Sequence, residues 1–141
     1  MQNYGLPCGW EISFADEWIG EYNKENGQCI FYPPNSDLTI YVTPFHIAKE
    51  NTPAPVEVME TAYINSISQS AKPRDLHEYT LEGFSLKAFE EETNENGKTV
   101  YAIKVGYYAL GDLLSVNIFS TNKAECEQSL EILKTIRKIS S

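Results

Sequence analysis

Residues 99–119, TVYAIKVGYYALGDLLSVNIF, decide the fold. Tyr101, Ile103, Val105 and Tyr107 alternate with Ala102, Lys104 and Gly106, the period-two signature of a strand over Val100–Ala109. Leu114, Val116 and Ile118 repeat the pattern over Leu113–Phe119, with Ser115 and Asn117 opposite. Leu110-Gly111-Asp112 leaves room for a turn but not for a helical crossover, so the pair reads as an antiparallel hairpin.

A closing amphipathic helix is expected over Ala124–Ile139. Asn122 is a good N-cap, with Glu125 at capping-box spacing. Cys126, Leu130, Leu133 and Ile136 recur at helical spacing, widened by Ile132 and Ile139. Acidic residues lead and Lys134, Arg137 and Lys138 close, as the helix dipole favours.

Outward from this unit, Gly9–Phe14 alternates as a half-buried strand, and Asp16–Gly20 reads as a turn carrying Trp18. Polar residues 22–27 end in Asn26-Gly27, a hairpin-turn dipeptide, before strands at Gln28–Tyr32 and Leu38–Thr43. Pro44–Asn51 has no clear period and suits a loop. Thr52-Pro53 resembles an N-cap followed by proline at the first helical position, opening a helix to about Gln69 with Val56, Met59, Tyr63 and Ile67 on its stripe. Residues 70–75 form a linker. Strands follow at His77–Leu81 and Phe84–Glu91, and Asn96-Gly97 is a second hairpin turn. The expected order is β-β-β-α-β-β-β-β-α: one α+β domain over residues 1–141, a mainly antiparallel sheet of about six or seven strands with two flanking helices. The one-sided strand pattern leaves one sheet face covered and the other more open.

Composition narrows the function. The net charge is −9, and residues 1–100 hold 16 acidic against 6 basic side chains. An acidic chain without basic clusters repels phosphate backbones, so nucleic acid and anionic membranes are disfavoured partners; the acidity suits a basic protein partner, and solubility alone explains it equally well. Residues 1–14 lack the pattern of a signal peptide and no stretch suits a membrane span, so the expected location is cytoplasmic if Met1 is the natural N-terminus. Cys8, Cys29 and Cys126 are widely spaced with no CxxC or Cys/His pair, which argues against zinc and for buried or idle thiols.

The opening strand Gly9-Trp10-Glu11-Ile12-Ser13-Phe14, followed by Trp18, resembles the "F-x-I-x-x-P-x-x-W" start of the Mog1/PsbP-like domains, which include the DcrB-like group. Ala15 stands near the place of that motif's proline. The ILKTIR run, Ile132–Arg137, is similar to the last element of the group, and the order of elements matches over nearly the whole chain. The chain also resembles small bacterial members of this superfamily. The resemblance implies an antiparallel sheet flanked by helices and a family of non-enzymatic binding and adaptor proteins. It brings no residue-level functional motif.

Each candidate site has a plainer reading beside it. Gly97-Lys98-Thr99 copies the end of a phosphate-binding loop, but Glu92 stands where a glycine is needed and a strand follows. His46 and Glu50 are spaced to share a helical face, and His77-Glu78 is adjacent, yet two histidines without further ligands make a poor metal site. No nucleophile elbow accompanies any serine, so a hydrolase ranks third and the expectation is no enzyme and no cofactor. Glu90, Glu91, Glu92 and Glu95 concentrate charge at a hairpin; they read as a solvated tip that discourages strand pairing, or as a docking patch for a basic partner. Tyr22, Tyr32, Tyr41, Tyr79 and Tyr108 lie on or near strands without obvious commitment to the core, and Trp18 and Tyr41 are the candidate aromatic contacts. The leading expectation is a small non-enzymatic protein-binding or adaptor domain, more specifically a toxin-neutralising immunity protein. The alternative is an open-faced sheet holding a small hydrophobic ligand in a pocket beside Trp18 or Tyr41.

Overall fold

A computed structural model describes residues 1–46, 48–49, 52–55, 57–58, 60–61, 63, 75–81, 84–109 and 111–138; for 48–49, 75–81, 84–91, 93, 95 and 109 it describes the backbone alone. The strands are β1 (Gln2–Gly5), β2 (Trp10–Phe14), β3 (Ile19–Asn23), β4 (Gln28–Tyr32), β5 (Thr39–His46), β6 (Ala48–Lys49) and β7 (Thr52–Pro53). They continue with β8 (Asp75–Leu81), β9 (Phe84–Glu95), β10 (Lys98–Ala109), β11 (Asp112–Ser120) and β12 (Arg137–Lys138). Two short helices, α1 (Lys123–Gln128) and α2 (Leu130–Leu133), lie between β11 and β12.

Seven strands form one sheet in the order β3-β4-β5-β11-β10-β9-β8, and every pairing in it is antiparallel. A second sheet, β1-β2-β12, sends Trp10, Ile12 and Phe14 inward from β2. Those three meet Phe31, Ile40, Val42, Ile103, Val105, Tyr107, Leu114, Val116 and Ile118 of the large sheet, with Cys126, Leu133 and Ile136 closing the core. The α+β, mainly antiparallel class expected from the alternating apolar pattern is the class observed.

The central hairpins are as read. Gly111 takes a φ of 75° in the β10–β11 turn, where a side chain would be strained. Asn96 and Gly97 both have positive φ, 52° and 81°, and Glu95 pairs with Lys98, a two-residue turn whose twist suits the strands.

Several expectations need correction. The stretch read as turn and polar loop contains β3, and the extra strand β1 precedes the first one expected. β5 runs on to His46, and Thr52-Pro53 pairs with Ala48-Lys49 as β7 instead of capping a helix. Helical residues begin later, at Glu57, Val58, Glu60, Thr61 and Tyr63, after Pro55 accepts from the Val58 N–H at 3.0 Å. Val56, Met59 and Ile67 of the expected stripe lie outside the described residues.

The closing helix is also shorter than its periodicity suggests. Asn122 caps α1 as expected, accepting from Ala124 and Glu125 N–H. Glu125 does not complete a capping box; its carboxylate accepts from Ser36 and Ser120 hydroxyls. Ser129, which is buried, donates back to the Cys126 carbonyl, a bond that competes with the helical ladder. After Leu133 the chain tightens into i→i+3 bonds, and Thr135 Oγ1 accepts the Ser13 N–H of β2 at 3.0 Å. Arg137 and Lys138 then pair with Glu11 and Trp10, so the ILKTIR run leaves the helix for the small sheet.

The second face of the large sheet is not uniformly open. Tyr63 sits on Gly106, where a Cβ would come within 2.6 Å of its ring, and its ring meets Tyr108 edge-on at 5.9 Å. Tyr108 is fully buried, a core residue and not the uncommitted tyrosine expected. Toward β4 the same face is more exposed, with half-buried Tyr41, Asn117 and Phe119.

Candidate binding cleft at the β3 edge

β3 has a strand neighbour on one side only among the described residues, and all five of its residues are exposed. Its register with β4 pairs Gly20 with Phe31 and Tyr22 with Cys29, which places these four on the core-facing side. Gly20 has a packing reason. A Cβ there would stand 2.9 Å from the Phe31 ring and 3.1 Å from the Tyr4 ring. Its absence lets β1 approach the β3–β4 hairpin.

Between these elements lies a cleft of about 460 Å³, lined chiefly by Tyr4, Leu6, Pro7, Tyr22, Cys29 and Phe31. That size is within the usual range for small-ligand sites. Two of its lining rings, Tyr4 and Phe31, belong to an aromatic cluster that continues away from the cleft. Tyr4 meets Phe31 edge-on at 4.9 Å, Phe31 stacks on Phe14 at 4.3 Å, and Phe14 stacks on Trp18 at 4.9 Å. These ring contacts pack the two lining aromatics against the core. Burial pushes the Cys29 thiol pKa upward, which favours the neutral thiol and makes this an apolar lining group.

On the opposite side of β3, Tyr32 donates to the Glu21 carboxylate at 3.1 Å, and that bond raises the Tyr32 pKa. Asp16, Glu17, Glu21 and Glu25 are exposed on and beside β3, with Lys24 as the only basic residue between Ala15 and Gly27. The edge is therefore mainly apolar toward the cleft, where Glu21 also contributes to the lining, and its exposed acidic residues cluster on and beside β3.

The residues singled out from sequence do not converge. Trp18 is the outer end of the aromatic stack and does not line the cleft. Tyr41 contacts Phe119 edge-on at 5.7 Å and lines a separate, shallower hollow of about 390 Å³ on the other face of the sheet. Glu90, Glu91, Glu92 and Glu95 lie on β9, five strands from β3, or about 25 Å at the usual strand spacing. β8 ends its pairing at Glu90, so residues 91–95 have β10 as their neighbour on one side. Glu92 is exposed.

His46 is at a strand end, not on a helical face, and Glu50 lies outside the described residues. Its Nδ1 is 2.9 Å from Asp112 Oδ1, and Lys138 Nζ is 3.2 Å from Asp112 Oδ2. Asp112 is buried, so this cluster ties β12 to β5 and β11. Gly97-Lys98-Thr99 forms the hairpin turn and the first rungs of β10.

The lining residues Tyr4, Leu6, Pro7, Tyr22, Cys29 and Phe31 were not identified as a site from sequence. One signal was available. Asn26-Gly27 before a strand requires a partner strand upstream of the turn, which is β3.

Three solved structures resemble this one over nearly the whole chain. A Bacteroides thetaiotaomicron VPI-5482 protein superposes with a TM-score of 0.72 at 9% identity, covering 99% of this chain and 48% of that one. The cyanobacterial PsbP of Synechocystis sp. PCC 6803 gives 0.66 at 13% identity, over 97% and 91% of the two chains. The fold is Mog1/PsbP-like. LpqN of Mycobacterium tuberculosis, a protein involved in cell envelope biogenesis, gives 0.65 at 15% identity over 96% and 89%. The chain spans about half the length of the Bacteroides structure. No protein-family profile and no curated protein sequence matches it. At these identities the Mog1/PsbP-like likeness concerns the fold alone.

Proposed function

We propose that this Mog1/PsbP-like chain is a non-enzymatic binding domain that receives a protein partner at the β3 edge and the adjoining cleft. One observation carries the reading: an edge strand of exposed residues, with Ile19 at 43% and Tyr22 at 53% exposure, stands beside a mainly apolar cleft. Exposed edges normally carry devices that prevent pairing. β3 is short and has Glu21 as its one charged residue, with no Lys or Pro, whereas the outer stretch of β9 carries a glutamate run. An adaptor role is the general form of this function, and toxin neutralisation is a specific form suited to a small acidic chain.

The test is affinity capture from the source lysate at low and high salt, comparing the native chain with Tyr22→Lys and with Glu90→Lys/Glu92→Lys. A partner lost on Tyr22→Lys alone supports the cleft. Loss confined to the glutamate pair moves the interface to the β9–β10 hairpin, and capture unaffected by either rejects both surfaces.

The volume of the cleft favours one further reading, a small apolar ligand. A screen of apolar compounds by thermal shift addresses it: a rise in Tm that Tyr22→Lys abolishes is the expected sign.

A further inference from the structure

Resting on the binding-domain reading, we infer that the occupant of the β3 edge is an extended segment of another protein that adds to the large sheet as an eighth strand. Its apolar side chains enter the cleft and its Lys or Arg side chains face Glu21. Among the described residues no strand pairs with the outer side of β3, whose backbone N–H and C=O groups stand in strand geometry, and such an edge is completed by another extended chain. Because side chains alternate, every second residue of an added strand falls on the side of Gly20 and Tyr22, over Leu6, Pro7 and Phe31. The residues between them fall on the side of Ile19, Glu21 and Asn23.

Charge selects among extended segments. Glu21 is held in place by the Tyr32 hydroxyl, and Glu17 and Glu25 add to the local field, while Asp16 pairs with the Met1 ammonium at 2.9 Å. A cation directly across from an anion on a sheet face is favourable, and like charges there are unfavourable. The same rule argues against a second copy of this chain, since antiparallel pairing of two β3 strands centred on Glu21 sets the two glutamates opposite each other. An alternating apolar and basic segment satisfies both faces.

The experiment uses three synthetic peptides with the full chain, followed by ¹H–¹⁵N NMR. The first is acetyl-Lys-Val-Lys-Phe-Lys-Val-Lys-amide, the second replaces every Lys by Glu, and the third is the first with alternate backbone amides N-methylated, made as both registers. Strand addition predicts that the basic peptide shifts the amides of Ile19–Asn23 and the lining residues, and that the acidic peptide binds more weakly by about tenfold or more. One N-methylated register loses binding, because its blocked amides are those that pair with β3.

Equal binding of both N-methylated registers, shifts centred on Tyr41 and Phe119, or no binding of any peptide at about 1 mM overturns the inference. If the peptides fail while Tyr22→Lys still abolishes capture of a partner, strand addition is wrong and the binding-domain reading stands. If both fail, both are wrong.

Discussion

The hydroxyl of Tyr107, fully buried in the middle of β10, donates to the carbonyl of Leu133 at the end of α2, at 2.8 Å. The last carbonyls of a helix have no partner within it, so this bond satisfies a buried acceptor and fixes α2 over the large sheet. Tyr107→Phe keeps the ring and its edge-on contact with Trp10 but leaves that carbonyl with only the longer bond from the Ile136 N–H, at 3.3 Å. The expected loss is about 1 kcal/mol, read from the midpoint of urea unfolding at unchanged slope.

The buried Asp112 carboxylate has His46 on one oxygen and Lys138 on the other. Lys138 is the more buried partner, at 16% side-chain exposure against 52% for His46, and it also lies 5.5 Å from the Trp10 ring centre. Lys138→Met removes the better-shielded cation and is expected to cost about 3 kcal/mol. His46→Gln retains a donor and should cost less than about 1 kcal/mol. Chemical denaturation of the two variants side by side provides the check; equal losses would contradict the assignment.

Gly106 is the position where the helical residues near Tyr63 rest on the sheet. Gly106→Ala sets a methyl about 2.6 Å from the Tyr63 ring, a contact that real side chains do not make, so the ring must move. The expected cost is roughly 1–3 kcal/mol, the range for overpacking. In the double variant with Tyr63→Leu the loss should be smaller than the sum of the two single losses, a coupling that a double-mutant cycle measures.

Two groups give the stability opposite pH dependences. Burial pushes the Cys126 thiol up to about 11, with Asp37, Glu125 and Glu127 adding in the same direction. The folded state therefore holds this proton more tightly than the unfolded chain, whose reference value is 9.0. Its contribution is complete below the unfolded value and declines as pH rises from 9 toward 11. Cys126→Ala should flatten that alkaline decline in thermal melts.

Asp37 behaves in the reverse sense. The Thr121 hydroxyl, followed by Ser120 and the Thr121 N–H, holds its carboxyl below the usual carboxylate range. Its contribution is present above the unfolded value of 3.8 and is lost as pH falls through the lower folded value. Because Asp37 is exposed, the effect is small. Asp37→Asn should narrow the difference in Tm between neutral and acid pH.

Legibility followed burial and local chemistry. In β2, β10 and β11 one row of side chains meets the core, so the apolar alternation is written plainly in residues 10–14 and 101–118. Asn96-Gly97, Gly111 and the Asn122 cap were readable because each rests on backbone geometry that few residues adopt. β3 was obscure because an edge strand with five exposed residues needs no alternation. With β3 unseen, the cleft was unseen too, since its wall is assembled from β1, the Leu6-Pro7 turn and β4.

Ile132–Arg137 marks the boundary between local and long-range control. Periodicity and charge order there support a helix, and local preference alone continues it to Ile139. The chain departs after Leu133 because Thr135 bonds to Ser13 and Arg137 pairs with Glu11, contacts more than 120 residues away in sequence. Local sequence was sufficient for the α+β class, the central hairpins and the helix start, where side-chain period and turn stereochemistry act over a few residues. The end of that helix, the edge at β3 and the cleft beside it depended on which distant backbone groups remained to be paired once the core had closed, and no local pattern records that.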